Sequence, residues 1–174
     1  MLVVGIALGL LVIFGALALS SPSSTPPASG PSSQKVPGST LRALSATGAL
    51  APITQPGQPP LNVLDALRVP AGARVLSAQD NHGAQYDEQV RFQVDATQAD
   101  VITFYRAVLS RPGWRVLSTG SAPRLVGAYQ VLARIAGDDA WYWDVGATVE
   151  ATTFRGASNV TAFTLRLVQV PDPA

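Results

Sequence analysis

VRFQVDATQADVITFYRAVLSRPGW, residues 90 to 114, changes its hydrophobic period once, and that change fixes the fold class. In the first six residues Val90, Phe92 and Val94 alternate with Arg91, Gln93 and Asp95, the period of a strand with one wet face. Thr97, followed three residues later by Asp100, approximates a capping box, with Asp standing where Glu is usual. Beyond it Val101, Phe104, Tyr105 and Val108 recur at i, i+3, i+4 and i+7, joined by Ile102 and Leu109, which is the apolar stripe of a helix. Arg111-Pro112-Gly113 stops that helix, and Gly113 permits the sharp reversal that returns Trp114 to the core.

Working outward, Asn62 to Leu67 predicts a short helix leading to Pro70, and Arg74 to Gln79 a strand closed by the turn Asp80-Asn81-His82-Gly83. Downstream the alternation predicts four more strands, Trp114 to Ser118, Tyr129 to Ile135, Trp141 to Glu150 and Val160 to Val170. Gly137-Asp138-Asp139 and Arg155 to Asn159 supply the last two turns. Short connections favour antiparallel neighbours. The expected fold class is therefore α+β, a two-layer ββαββββ domain over residues 61 to 174 with one main helix on an antiparallel sheet.

The helix and its exit, Phe104-Tyr105 through Leu109 to Gly113-Trp114, preceded by the VRFQVD strand, resemble a module of uncharacterised exported or membrane-anchored small α+β proteins of high-GC bacteria. The resemblance covers residues 70 to 170 and implies an extracytoplasmic location. That family has no assigned activity, so the resemblance implies no catalytic residue.

The N-terminal third points the same way. Residues 2 to 19, LVVGIALGLLVIFGALAL, are apolar or glycine throughout and as a helix reach about 27 Å, nearly a bilayer core. A transmembrane helix or signal-anchor over residues 1 to 19 is expected. The competing reading is a cleaved secretory signal, favoured by the small residues around Ala16 and Ala18 but opposed by the length of the apolar run and the missing basic head. Residues 20 to 60 hold nine of the fourteen prolines among Ser, Thr and Gly. They offer little to bury and are expected to be a disordered tether, the stretch Leu41 to Leu50 included. Lys35 and Arg42 are the only charges before residue 60 and weakly favour a cytoplasmic domain. Export by a signal or signal-anchor argues instead for a domain outside the cytoplasm, held at the plasma membrane of the cell envelope.

Composition excludes several functions. Residues 61 to 174 carry ten arginines against eleven acids, so no cationic excess exists to hold nucleic acid. The chain has no cysteine and one histidine, which removes thiolate chemistry, disulfides and most metal sites, and no cofactor is expected. No phosphate loop, dinucleotide fingerprint or internal repeat stands out.

The candidate sites are few. His82, with Asp80, Asp87, Glu88 and Ser77, is the only grouping that could act as a base or take a hard cation, but a DNHG turn accounts for it as solvated turn chemistry. Asp138 and Asp139 read as turn aspartates, and Asn159-Val160-Thr161 as a chance glycosylation pattern. The aromatic run Trp141-Tyr142-Trp143 is the weak ligand-binding candidate: parity sends both tryptophans to the apolar side and leaves Tyr142 exposed. The expectation is a single-pass, membrane-tethered, non-catalytic binding or scaffold domain. Residues 2 to 19 would meet the membrane, and an envelope protein or glycan would be the partner. The alternatives are a carrier of an apolar ligand between helix and sheet, and a glycan-acting hydrolase with two converging carboxylates.

Overall fold

The computed structural model describes residues 33–48, 50, 58–156 and 158–171. The expected membrane segment at residues 2 to 19 lies outside the described residues, and among those described no helix is long and apolar enough to cross a membrane.

The elements run β1 (Gln34–Lys35), β2 (Arg42–Ser45), α1 (Leu61–Ala66), β3 (Arg68–Pro70), β4 (Arg74–Asp80), β5 (Asp87–Val94) and α2 (Gln98–Val108). They continue with β6 (Arg115–Ser121), β7 (Tyr129–Ala136), β8 (Tyr142–Val149), β9 (Thr153–Arg155) and β10 (Ser158–Val170). The protein is α+β and mostly antiparallel. The main sheet has the order β4-β5-β10-β8-β7-β6, and the short β9 pairs with the start of β10. The thirteen-residue β10 lies between β5 and β8 and is bonded to both through backbone hydrogen bonds. Because β6 forms the far edge, the connection from β5 must cross a sheet face, and α2 is that crossing.

Local chemistry sets the helix. The Thr97 side chain accepts from the Asp100 backbone N–H, and the Asp100 carboxylate accepts from the Thr97 backbone N–H, completing the capping box. Val101, Phe104, Tyr105 and Val108 are buried, and Gly113 at φ +95° makes the reversal into β6. The sheet face below α2 is built from the alternate residues of its central strands, among them Phe92, Val131, Trp143, Val145, Phe163 and Leu165. Phe92 stacks on Phe163 at 5.1 Å, and Tyr105 leans on Phe163 at 5.5 Å. These rings fill the layer between helix and sheet.

The expected disordered tether is shorter than the sequence suggested. Within residues 20 to 60, β1 and β2 join β3 in a three-stranded antiparallel sheet, and Val36, Ala43, Ala46 and Leu50 are buried in the common core. Proline and serine content averaged over 41 residues hides the short apolar cluster of Leu41, Ala43 and Leu44, and β3 needs a partner for its backbone groups. The folded domain therefore begins before Leu61.

One short repeat is present after all: Arg-Val-Leu-Ser occurs at residues 74–77 in β4 and at 115–118 in β6. These are the two edge strands, and each has a register shift at the same place, so that Leu76 and Leu117 are the extra residues of two bulges. Bulges twist an edge and impede further strand pairing.

Candidate functional site

The face of the main sheet opposite α2 has no covering layer among the described residues, and its side chains come from the other parity of each strand. Gln89 and Arg91 of β5, Thr164 and Arg166 of β10, Asp144 and Thr148 of β8, and Gln130 and Arg134 of β7 point to it. Three arginines on this face are held by carboxylates in two-pronged pairs. Arg134 meets Asp144 at 2.5 and 2.8 Å directly across the β7–β8 ladder. Arg91 meets Glu150 at 2.9 Å on both prongs, and Arg166 meets Asp87 at 2.7 and 2.6 Å. Such pairs fix planar geometry at both ends. The Asp144 carboxylate holds the Arg134 guanidinium above its ordinary pKa, and Asp87 does the same for Arg166.

Between these pairs lies a cavity of about 540 Å³, lined chiefly by Gln89, Gln130, Leu132, Thr148, Thr164 and Val168. Gly146 at its floor keeps it open, since a Cβ there would approach Leu132 Cδ2 to 3.1 Å. A second hollow of about 400 Å³ continues it beneath residues 122–125, sharing Gln130, Thr148 and Arg124. Arg124 stands at the rim and takes part in none of the five ion pairs among the described residues.

The aromatic candidates are separated by the turn before β8. Trp143 is fully buried: its Nε1 donates to Asp139 Oδ1 at 3.2 Å, and its ring meets Tyr86 edge-on at 5.4 Å. Tyr142 is half-buried on the open face, with the Arg134 guanidinium over its ring at 5.8 Å. Trp141, which parity assigns to the apolar side, is exposed instead. Ala140 has φ +64°, so strand alternation begins only at Tyr142 and cannot be extended back through it.

The grouping around His82 also differs from the expectation of a solvated turn. His82 itself is exposed at φ +54°, its backbone N–H donating to Asp80 Oδ1 and its Nδ1 lying 3.1 Å from Asp80 Oδ2. Asp87 has no exposed surface and Glu88 almost none. Hydrogen bonds from Arg166 dominate over burial and hold the Asp87 carboxyl below its usual range, with Asn81 and Gly83 contributing further bonds. Glu88 has no such partner among the described residues, and burial first, then the charges of Asp80 and Asp87, push its carboxyl up. The Tyr86 hydroxyl nearby is buried without a hydrogen-bond partner among the described residues, and its pKa is raised by that burial. Ser77 lies on the edge strand and forms no side-chain hydrogen bond with His82 among the described residues. No group of three or more metal-ligating side chains converges among the described residues.

No protein family, curated protein or solved structure matches this chain.

Part of the open face was readable in advance. Arg134 and Asp144 are equidistant from the turn centred on Asp139, so a tight hairpin must place them opposite one another. Glu88 shares its parity with Val90, Phe92 and Val94, which signals burial. The pairing of Asp87 with Arg166, 79 residues apart, had no local signal.

Proposed function

We propose that this chain is a single-pass, membrane-tethered, non-catalytic binding domain of the bacterial envelope, lying outside the cytoplasm and using the open sheet face to hold a glycan. Residues 2 to 19 have bilayer length, and because the folded domain already includes Ser33, residues 20 to 32 remain as tether.

The observation that carries the reading is the chemistry of the groove. Apart from Arg124 at the rim, its charges are neutralised in arginine–carboxylate pairs, while Gln89, Gln130, Thr148 and Thr164 offer amides and hydroxyls that both donate and accept. That lining suits a neutral ligand rich in hydroxyl and amide groups, and Tyr142 beside Val170 supplies a ring for a sugar to stack against. Each carboxylate on this face is engaged by an arginine, which supports binding over hydrolysis, since a glycosidase acid must exchange its proton freely. An apolar ligand between helix and sheet is disfavoured because Phe92, Phe104, Tyr105 and Phe163 occupy that layer.

The test pairs location with binding. Protease treatment of intact cells should remove a C-terminal tag from the membrane-bound chain, and the purified full-length protein should bind soluble N-acetylated cell-wall oligosaccharides. Tyr142→Ala and Gln130→Ala should each weaken that binding by about ten-fold, as loss of one stacking or hydrogen-bond contact implies. A protected tag, or wall fragments that leave the amide resonances of Gln89, Gln130 and Thr148 unmoved, overturns the reading.

A further inference from the structure

The two ends of the main sheet differ in what they expose. At the end where β5 finishes and α2 begins, two loops project side by side: residues 122–128 between β6 and β7, and the β9–β10 hairpin from Thr153 to Ser158. Gln98 at the start of α2 donates to the Gly127 carbonyl at 2.7 Å, and a Cβ on Gly127 would rest against Ala151 Cβ at 3.8 Å, so the loops share one base. Their tips carry three exposed large apolar side chains, Leu125 at 45%, Val126 at 102% and Phe154 at 79%, and Val75 and Leu76 of the β4 edge are exposed at the same end. Arg124 precedes the first pair and Arg155 follows the phenylalanine, and neither is in an ion pair among the described residues.

The acids at this end are all occupied. Asp95 faces Arg74, Glu150 holds Arg91, and Asp100 is bound within the α2 cap by Thr97 and by Thr40. Lys35 and Arg42, cross-strand neighbours in the β1–β2 hairpin whose turn reaches Asp100, add two further cations. The opposite end exposes Leu61 and Trp141, and its turns carry the acids Asp80, Asp138 and Asp139.

Apolar loop tips beside uncommitted cations match a bilayer interface, where the side chains leave water among the acyl chains and the guanidinium groups stay with anionic headgroups. We propose that Leu125, Val126 and Phe154 dock this end of the domain onto an anionic phospholipid surface, with Arg124 and Arg155 on the headgroups. The inference rests on the membrane-tethered reading, in that the occupant is the bilayer that carries residues 2 to 19. Docking turns a loosely held domain into one of fixed orientation, with the acidic end and its turn around His82 directed away from the membrane.

The absence of cysteine makes the test clean. Full-length chains carrying Val126→Cys, Phe154→Cys or, at the opposite end, His82→Cys are labelled with nitrobenzoxadiazole. They are reconstituted with vesicles of phosphatidylcholine alone or mixed with phosphatidylglycerol, and the vesicles are floated. In the mixed vesicles the labels at 126 and 154 should shift to the blue and be quenched by spin-labelled lipid, while the label at 82 stays aqueous. Arg124→Glu combined with Arg155→Glu should abolish the shift. Labels at 126 and 154 that remain aqueous on floated vesicles overturn the docking, and an equal shift on neutral vesicles overturns its headgroup recognition. A chain that does not float with neutral vesicles refutes the tether; if mixed vesicles then still recruit it with both labels shifted, the docking surface stands alone.

Discussion

Asp87, which has no exposed surface, is closed on the half-exposed guanidinium of Arg166 by two parallel hydrogen bonds of 2.7 and 2.6 Å. The pair joins β5 to β10, the strands that bring the early and late parts of the chain together, and it sits where the β4–β5 turn folds back. Gly83 belongs to the same arrangement, because a Cβ there would collide with the Asp87 carboxylate.

Removing the cation leaves that carboxylate without compensation. Arg166→Ala should cost about 2–3 kcal/mol, below the range for fully buried pairs because water reaches the guanidinium. Urea unfolding of the variant beside the parent measures this, and a loss under about 0.5 kcal/mol would mean that the pair contributes no more than a surface bridge.

Asp87 and Glu88, neighbours in sequence, should give opposite pH dependence. Asp87 is depressed in the fold, chiefly by its bonds from Arg166, so its contribution is present above the unfolded carboxyl pKa of about 4 and is lost as pH falls through the folded value. Glu88 is raised, chiefly by burial, so its contribution is complete below about pH 4 and is lost as pH rises through the folded value. Glu88→Gln should therefore stabilise the protein at neutral and alkaline pH and confer nothing at acid pH. Melting curves across that range decide it, and a stabilisation that grows toward acid would show the sign to be wrong.

The two tryptophans flanking Tyr142 should behave as different kinds of residue. Trp143→Ala removes a buried ring and its bond to Asp139 and should cost about 3–5 kcal/mol. Trp141→Ala should change stability by no more than about 0.5 kcal/mol. Acrylamide should quench Trp141 emission readily and leave that of Trp143 almost unaffected, which single-tryptophan variants can read.

The lower boundary of the domain can be tested by truncation. A chain beginning at Leu61 loses Val36, Ala43, Ala46 and Leu50 from the core and strips β3 of its partner. At about 1.5–3 kcal/mol for each large buried aliphatic side chain, it should lose more than about 3 kcal/mol relative to a chain beginning at Ser33. Equal melting temperatures for the two would show that β1 and β2 add nothing to the fold.

The α2 helix, its capping box, the β5 and β8 alternation and the hairpin partners Arg134 and Asp144 were legible because each depends on residues close together in the chain. Local periods and caps act over a few residues, and a tight turn fixes what lies opposite across it. The strands within residues 34 to 45 were not legible, because short segments poor in apolar residues gain stability only from a neighbour already in place.

The sequence by itself determined the α+β class, the single main helix, the faces that β5 and β8 bury and the poverty of reactive side chains. Only the tertiary structure decided that β10 enters between β5 and β8, that Arg166 reaches Asp87, that Trp141 turns outward at Ala140, and that Leu125, Val126 and Phe154 share one end. Each of these is a meeting of segments far apart in the chain or a break in backbone regularity. Pairing of that kind is selected by the free energy of the whole core, and it leaves no periodic trace in the residues that take part.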